Sequence, residues 1–341
     1  MKKRYIGVDL HQNSLTVCYF EDEEKMFFKT FKLTKAGLRC FKQSLRITDE
    51  LAVESTGNAA YFADEVSSHV ERVVVINPRK FKVIRDSVAK TDKNDSRAIA
   101  YFLSKNMLPE SRQKDKHHRD IASLSQTRDK LVKTRTFFMN KVHGLLNSIG
   151  IKLKKESLGS KKGLVRIQEL KVDEVTGFEV NVLIEQIKSL NLSISQVDKK
   201  LIELGSELEG FNNLHSIKGI GERSASILLS AIGDINDFES ESKLSSYFGI
   251  VPKVSQSNDT EHHGRIHKRG NKLARTTLVQ CALVAMRYNN VLKKFHQRIA
   301  ARRGGAKANI ALAKKFLGII FKTLKNDWIF EDFPNFVLVN P

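Results

Sequence analysis

The first 105 residues alternate short β-branched runs with helical patterns, and this alternation restricts the possible folds more than any other feature of the chain. Three apolar runs separated by short polar turns come first, at residues 4–10, 14–20 and 25–33, and they predict a meander of three strands. The elements predicted next are a helix at 35–45, a strand at 50–54, a helix at 59–69, a strand at 72–76, a helix after Asn77-Pro78 and a helix at 92–103. The order βββαβαβα indicates an α/β domain with a mixed five-stranded sheet and helices on its faces.

Four acidic residues lie at particular places in this order, which is that of a ribonuclease-H-like domain. Asp9 ends the first strand, and Glu54 lies where the fourth strand gives way to a helix. Asp92 and Asp95 begin the last helix, three residues apart and therefore on one helical face. In a ribonuclease-H-like sheet the first and fourth strands are neighbours, and the last helix packs across their C-terminal ends. The four side chains are therefore predicted to converge.

A cluster of carboxylates at this point predicts a site for divalent cations. Like charges packed together raise one another's pKa values and oppose folding unless cations neutralise them. Mg²⁺ and Mn²⁺ prefer such oxygen ligands together with substrate phosphate, and they assist phosphodiester cleavage. A structural interpretation stays open, with Asp9 as a polar strand end and Asp92 and Asp95 as acids favoured at a helix N-terminus. His11, beside Asp9, is either a phosphate contact or incidental.

The middle of the chain changes to a helical period. Apolar residues recur at helical intervals through 118–150 and again through 181–208, with a polar, glycine-bearing connection at 153–175. Two long amphipathic helices joined in this way predict an antiparallel coiled-coil arm. An ordinary helical bundle fits the same pattern, and under either interpretation the region is a spacer and an assembly surface.

Positive charge is concentrated in the last third of the chain. The net charge is +20, and residues 251–328 contain 17 Lys or Arg against three Asp or Glu. A segment of nearly one sign repels itself, and neutralisation by nucleic-acid phosphates is the usual reason for it, although a basic surface that only aids solubility is the alternative. No apolar run approaches the roughly 20 residues of a membrane span. Three widely spaced cysteines predict neither a disulfide framework nor a zinc site, so a cytoplasmic protein without membrane association is expected.

A glycine-containing turn opens the mostly helical, basic C-terminal region. Gly219 and Gly221 lie between two short helical patterns, an arrangement that resembles a helix-hairpin-helix. In that motif the glycines allow backbone N–H groups to approach a phosphate at a helix N-terminus. A helix–helix turn with a glycine C-cap is the alternative.

A serine-bearing segment at 248–278 combines glycines, polar residues and cations. Ser257 is predicted on a loop that leads into a basic helix. A serine held among Lys268, Arg269 and Arg275 suits attack on a phosphodiester, because the cations stabilise the charge that develops. An ordinary loop serine is the alternative. The predicted nucleic-acid-binding residues are Gly219, Gly221, Arg265, Lys268, Arg269, Asn271, Lys272 and Arg275.

In combination and in this order, the motifs resemble the IS110 (IS-one-ten) family of insertion-sequence transposases and its relatives, the Piv DNA invertases. The resemblance covers both ends of the chain, and residues 105–210 contribute only their helical pattern. The stretches that carry it are YIGVDLH, LAVESTGNAA, INPRKFK, KTDKNDSRAIA, SIKGIGERSASILLSAIGDINDF, LSSYFGIVPKVSQS, GRIHKRGNKLART and KANIALAKKFLGIIFKTLK.

The resemblance implies three domains and a set of site residues. The domains are a RuvC-like DEDD catalytic domain at 1–110, a helical coiled-coil arm at 111–210, and a C-terminal transposase domain with the helix-hairpin-helix and serine loop at 211–341. The implied metal-binding catalytic residues are Asp9, Glu54, Asp92 and Asp95.

The family's serine follows a proline in a pattern resembling P-x-x-x-x-S-G. Counting from Pro252 places it at Ser257, but Asn258 stands where the pattern has glycine. Asn tolerates left-handed backbone angles better than most residues, which suits the same turn. The departure leaves Ser255 as a second candidate nucleophile.

The activity implied by the resemblance is DNA recombination. The serine attacks the DNA backbone and forms a covalent phosphoserine, while metal ions at the four acids assist. The implied partners are element-end and target DNA, a structured noncoding guide RNA that pairs with both (a bridge RNA), and further copies of the chain. In the implied assembly, a dimer to a tetramer, the RuvC-like domain of one subunit meets the serine domain of another. The implied location is the nucleoid of a prokaryotic cell.

Two other functions remain open from the sequence. The first is a RuvC-like, structure-selective endonuclease that uses only the four acids and water and forms no covalent intermediate. The second is a non-catalytic nucleic-acid-binding protein. Substitution of the serine or of the acids distinguishes the three functions.

Overall fold

A computed structural model describes residues 3–22, 24–78, 80–81, 91–257 and 260–339, without the side chains of 155, 254–257 and 260–263. The helix predicted after Asn77-Pro78 falls on residues outside this description. The chain forms two compact units, residues 1–113 and residues 114–341.

The first unit contains the predicted five-stranded sheet. Its elements are β1 (Tyr5–Leu10), β2 (Ser14–Phe20), β3 (Met26–Lys32), α1 (Lys35–Gln43), β4 (Glu50–Glu54), α2 (Ala59–Val66), β5 (Arg72–Ile76) and α3 (Asp92–Ser104). The strand order is β3-β2-β1-β4-β5, with β1 antiparallel to β2 and parallel to β4. The prediction of a mixed α/β sheet is therefore confirmed.

The two faces of this sheet bury different helices, because alternate side chains of a strand point to opposite faces. Val8 and Val53 belong to the apolar layer that includes side chains of α1 and α2. Ala52 belongs to the other layer, with Ile99 of α3. The sheet is thus covered on both sides, and α3 lies across the face that carries the even-numbered residues of β4.

A buried ion pair ties the start of β1 to the turn before β4. Arg4 donates to both carboxylate oxygens of Asp49, from Nε at 3.0 Å and from Nη2 at 2.7 Å. Nη2 also donates to the Ser44 carbonyl oxygen at 2.7 Å, and the guanidinium carbon lies 4.9 Å from the Tyr19 ring centroid. Arg4 is 4% exposed and Asp49 is fully buried, so neither charge is solvated by bulk water.

Asp49→Ala is expected to destabilise the first unit by about 3–5 kcal/mol, because it leaves the Arg4 charge buried without its partner. The free energy of urea unfolding, followed by circular dichroism, measures the effect. Glu71→Ala is the matched control, since it removes a partner of Lys3 at the exposed surface and should change stability little. Equal losses in the two variants would contradict the assignment of a structural role to the buried pair.

The second unit begins with the two long predicted helices. They are α4 (Lys116–Ser148) and α6 (Glu174–Ser206), with a short helix, α5 (Lys161–Gln168), between them. Arg128 of α4 donates to Asp198 of α6, and Arg135 of α4 donates to Asn191 of α6. The residue number of the partner on α6 falls as the residue number on α4 rises. The two helices are therefore antiparallel. The connection, expected as a loop or weak helix, contains α5 and a 3₁₀ turn whose leucines pack into the apolar layer of this end.

The rest of the second unit is mostly helical, as predicted. Its elements are α7 (Phe211–His215), α8 (Glu222–Ile232), α9 (Glu241–Phe248), β6 (Pro252–Ser257), β7 (Thr260–Ile266), α10 (Lys272–Tyr288), α11 (Asn290–Arg303), α12 (Gly305–Lys325), β8 (Phe330–Asp332) and β9 (Val337–Leu338). One apolar core contains residues from most of these helices, together with Ile121 of α4 and Leu201 of α6. No helix in the described part of the chain is both long enough and apolar enough to span a membrane.

The serine-bearing segment differs from its predicted loop. Ser257 is the last residue of β6, which pairs with β7 in an antiparallel hairpin, Ser257 opposite Thr260 and Ser255 opposite His262. The loop prediction failed because the two strands carry few apolar residues, so backbone pairing rather than an alternating apolar pattern defines them. The side chains of Ser255 and Ser257, and the whole of Asn258, lie outside the described residues.

Candidate active site

The register of β1 and β4 places Asp9 beside Glu54. These parallel strands pair from Tyr5 opposite Glu50 to Val8 opposite Val53, so Asp9 and Glu54 are the next residues at the same edge of the sheet. Both also lie on the face covered by α3, because Asp9 is two residues beyond Gly7 and Glu54 is two beyond Ala52. Two acids from distant parts of the sequence thus meet at one edge.

The first turn of α3 brings Asp92 to this edge. The Thr91 hydroxyl accepts a hydrogen bond from the Asn94 backbone N–H at 3.2 Å, which fixes the start of the helix at Asp92. His11 Nε2 lies 3.2 Å from Asp9 Oδ2 and 3.4 Å from Asp92 Oδ2. One ligand atom from each of Asp9, His11 and Asp92 therefore lies within 4.8 Å of the others.

The electrostatics at Asp9 connect the fourth acid, Asp95, to this group. Burial raises the pKa of Asp9 above its usual value, and His11 opposes the rise. The charges of Asp92 and Asp95 add to the rise. The Asp9 side chain is only 15% exposed, so water screens the repulsion among these carboxylates weakly. A divalent cation bound between them would relieve that repulsion.

His11 is the residue whose place the sequence left undecided. It follows β1 and lies between two acids that are 83 positions apart in the chain, a relation that only the docking of α3 creates. The Asn58 side-chain amide donates to the His11 carbonyl oxygen at 3.1 Å, so the segment after Glu54 is tied to the segment after Asp9. The only signal in the sequence was its position two residues after Asp9.

Gly7 allows α3 to approach β1, and a side chain there should disrupt the site. A Cβ at residue 7 would lie 2.0 Å from the Ser96 carbonyl oxygen and 2.5 Å from the Ala100 backbone nitrogen. Gly7→Ala is therefore expected to displace α3 together with Asp92 and to lower both DNA cleavage and the melting temperature.

The matched control is Gly57→Ala in the same unit, because a Cβ at residue 57 would meet nothing within 4 Å. Thermal unfolding and a DNA-cleavage assay measure both variants. Wild-type cleavage by Gly7→Ala would contradict the role given to the packing of α3.

The two predicted phosphate-binding glycines of the second unit have different surroundings. Gly219 has φ +108°, and a Cβ there would lie 2.7 Å from the Ala285 backbone nitrogen of α10. Gly219 therefore allows a close helix approach. Gly221 is the N-cap of α8, and a Cβ there would meet nothing within 4 Å, so its surroundings are open.

Some residues of the predicted nucleic-acid-binding set stabilise the fold, and others are exposed at the surface. Asn271 caps α10 by accepting from the Leu273 and Ala274 backbone N–H groups, and Arg275 donates to the Phe248 carbonyl oxygen at 3.1 Å. The exposed cations of the set are Arg265, Lys268, Arg269 and Lys272. These four cations lie between the end of β7 and the first turn of α10.

Two family models match the chain over the regions just described. Residues 6–151 match the model of the IS110-type DEDD transposases, described as a transposase, and residues 211–297 match the one described as transposase IS116/IS110/IS902 family. The chain belongs to the IS110/IS116/IS902 family of transposases. The first match spans all four predicted acids and the second spans the serine segment.

Curated relatives of this family are similar over nearly the whole chain. The transposase for insertion sequence element IS1111A of Coxiella burnetii is 27% identical over 331 residues, covering 94% of this chain and 89% of the relative. The pilin gene-inverting protein of Moraxella bovis is 25% identical over 353 residues, covering 97% and 98%. Membership in the IS110 family makes the chain a transposase, an enzyme that cuts and rejoins DNA.

Proposed function

We propose that the chain is a DNA recombinase that transposes an insertion sequence, with a ribonuclease-H-like, RuvC-type catalytic unit at its N-terminus. Asp9, Glu54, Asp92 and Asp95 are its metal ligands. The observation that carries this proposal is the meeting of Asp9 and Asp92 around His11, beside the strand end that bears Glu54. The strand order β3-β2-β1-β4-β5 supports the fold assignment.

The donor set suits a hard divalent cation. Carboxylate oxygens, one of them in a partly buried place with a raised pKa, favour Mg²⁺ or Mn²⁺ over softer metals. Bound there, the metal would stabilise negative charge on the phosphate under attack. Asp9 would hold it from the sheet, and Asp92 and Asp95 from the first turn of α3. His11 would orient the Asp9 and Asp92 carboxylates through its contacts with both.

The covalent step belongs to the C-terminal unit in this proposal. The Ser257 hydroxyl oxygen forms a bond to phosphorus, the bond from phosphorus to one deoxyribose oxygen breaks, and the serine proton ends on the released hydroxyl. In rejoining, the hydroxyl end of another strand attacks the phosphoserine and Ser257 recovers its proton. No oxidant or reductant takes part. The resemblance to the family supports Ser257, and the cations from Arg265 to Lys272 suit the charge on phosphorus.

The partners proposed are DNA, a structured guide RNA and further copies of the chain. The 17 basic residues between 251 and 328 support a nucleic-acid partner because phosphate contacts release counterions. The guide RNA and the oligomer, from a dimer to a tetramer, rest on the family resemblance. The two antiparallel helices α4 and α6 offer the surface for a coiled-coil arm.

The test is to incubate the protein with DNA of the element ends and with RNA transcribed from the element, with Mg²⁺ or with EDTA. A protein–DNA band that survives SDS and needs Mg²⁺ is expected. Cleavage without such a band would favour the structure-selective endonuclease, which uses the acids and water alone. The absence of cleavage and of the band would leave only nucleic-acid binding and would contradict the proposal.

A further inference from the structure

A groove in the second unit has chemistry that the proposed recombination steps do not use. It lies where α9, α11 and α12 meet and has a volume of about 500 Å³. Its apolar lining includes Val291, Phe295 and Ile319. A groove of this size, open to solvent and partly apolar, suits a planar group of the size of a nucleobase.

An aromatic ring in this groove is surrounded by cations. Lys315 Nζ lies 5.0 Å from the Phe295 ring centroid, and the Arg298 guanidinium carbon lies 5.8 Å from it. Lys314 and Lys322 also line the groove and are exposed. Single-stranded nucleic acids stack their bases on aromatic rings in basic grooves, and a base that stacks on Phe295 would take the place of a flexible lysine head group, which would then contact the phosphate.

One carboxylate lies among these lysines. Glu241, at the start of α9, lines the groove, and its Oε2 lies only 2.6 Å from where a Cβ of residue 318 would be. Gly318 on α12 therefore provides the space in which the carboxylate lies. Among the described residues, Glu241 forms no ion pair or hydrogen bond through its side chain, so both of its oxygens are available as acceptors.

We propose that this groove binds an unpaired guanine nucleotide of the DNA substrate. The base would stack on Phe295, its N1–H and N2–H₂ groups would donate to the two Glu241 oxygens, and its phosphates would contact Lys314, Lys315 and Lys322. Guanine is the base that offers two adjacent donors on this edge, whereas adenine offers one amino group beside an acceptor. The edge is free only when the base is unpaired, as it is in a DNA strand opened for exchange.

The commitment to DNA rests on the proposed function, and the charge of the groove favours a nucleotide over an acidic peptide. An acidic peptide offers only carboxylates, which Glu241 repels, whereas a nucleotide offers the lysines its phosphates and offers Glu241 a neutral guanine edge that donates hydrogen bonds. A single-stranded nucleotide satisfies the aromatic ring, the lysines and the carboxylate together.

The test measures binding of fluorescein-labelled 12-nucleotide DNA strands to the full chain by fluorescence anisotropy, in EDTA. The strands are all thymine or carry one central guanine, cytosine or adenine. We expect about tenfold tighter binding of the guanine strand than of the others by the wild type, the order that two paired hydrogen bonds to a base provide. Glu241→Gln should abolish this preference without weakening binding of the all-thymine strand, because the substitution removes a negative charge that repels phosphate.

Three further variants separate the contributions. Phe295→Ala should weaken guanine binding by about tenfold through lost stacking, and Gly318→Ala should remove the guanine preference by displacing the carboxylate. Lys322→Ala should weaken binding of every strand, whereas Lys243→Ala, an exposed lysine of α9 outside the groove and outside the basic segment 251–328, is the control. Thermal unfolding checks that Phe295→Ala remains folded, and Glu241→Gln tests the site without changing an apolar contact.

Several outcomes would overturn the proposal. They are equal affinity of the wild type for all four strands, a guanine preference retained in Glu241→Gln, and tighter binding of the matching RNA strand than of DNA. The binding assay needs neither metal nor Ser257. If the guanine preference is absent while Mg²⁺-dependent cleavage is intact, only the proposal for the groove is contradicted. If no covalent protein–DNA adduct forms while the guanine preference is intact, only the proposed function is contradicted.

Discussion

Asp9→Asn is expected to reduce Mg²⁺-dependent DNA cleavage by about a thousandfold, the upper range for loss of a group that stabilises transition-state charge electrostatically. Asp9 contacts His11, and the charges of Asp92 and Asp95 both raise its pKa. The substitution therefore removes the carboxylate that interacts with all three other residues. Asn keeps the size of the side chain and an oxygen acceptor but removes the negative charge that a divalent cation needs.

The same substitution should raise stability in the absence of divalent cations. The pKa of Asp9 is raised in the folded state, so its ionisation opposes folding: the protein is most stable below the unfolded pKa, and stability falls as the pH rises through the folded pKa. Above the folded pKa the full penalty is present in the wild type. Asn removes it, and the melting temperature of metal-free Asp9→Asn should therefore exceed that of the wild type.

Mg²⁺ should reverse this order. A cation that binds only the folded state raises the melting temperature of the wild type, whereas Asp9→Asn should respond little. Differential scanning fluorimetry with and without Mg²⁺, beside a cleavage assay, measures both effects. Glu71→Gln is the control, since it removes an exposed acid before β5, at the opposite end of the parallel strands. An equal Mg²⁺ response in wild type and Asp9→Asn would exclude Asp9 as a ligand.

The architecture of the first unit was accessible from sequence because each strand there is a compact β-branched run with clear turns. Once the order βββαβαβα was assigned, adjacency of β1 and β4 followed, and with it the meeting of Asp9 and Glu54. The packing of α3 across these strand ends was also predicted, but its close approach to β1 was not: a Cβ at residue 7 would lie only 2.0 Å from the Ser96 carbonyl oxygen. The periodicity of apolar residues does not indicate how closely a helix will approach a strand.

The position of His11 and the carboxylate of the groove were not predictable for a related reason. His11 acquires its two acidic neighbours only when α3 packs on the sheet. Glu241 and Gly318 are 77 positions apart and meet only because α9 lies against α12. The β6–β7 hairpin was missed because its strands are polar. Periodicity identifies elements, whereas these features arise from which elements pack together and how closely.

Ser257→Ala is expected to eliminate the SDS-resistant protein–DNA band. The hydroxyl oxygen is the atom that bonds to phosphorus in the proposed step, so its removal leaves no covalent route, while folding and DNA binding should persist because β6 pairs through its backbone. The expected loss is complete within detection, compared with the reduced rate expected of a variant that only weakens binding.

Ser255→Ala is the matched control, because Ser255 lies two residues earlier on the same strand and is the alternative nucleophile. Both variants are incubated with Mg²⁺, element-end DNA and element RNA, and the products are resolved with and without protease treatment. Loss of the band in Ser255→Ala alone would move the nucleophile to that residue. Strand cleavage at the wild-type rate by both variants would leave the carboxylates and water as the whole catalytic apparatus, since only a hydrolytic route proceeds without a serine hydroxyl.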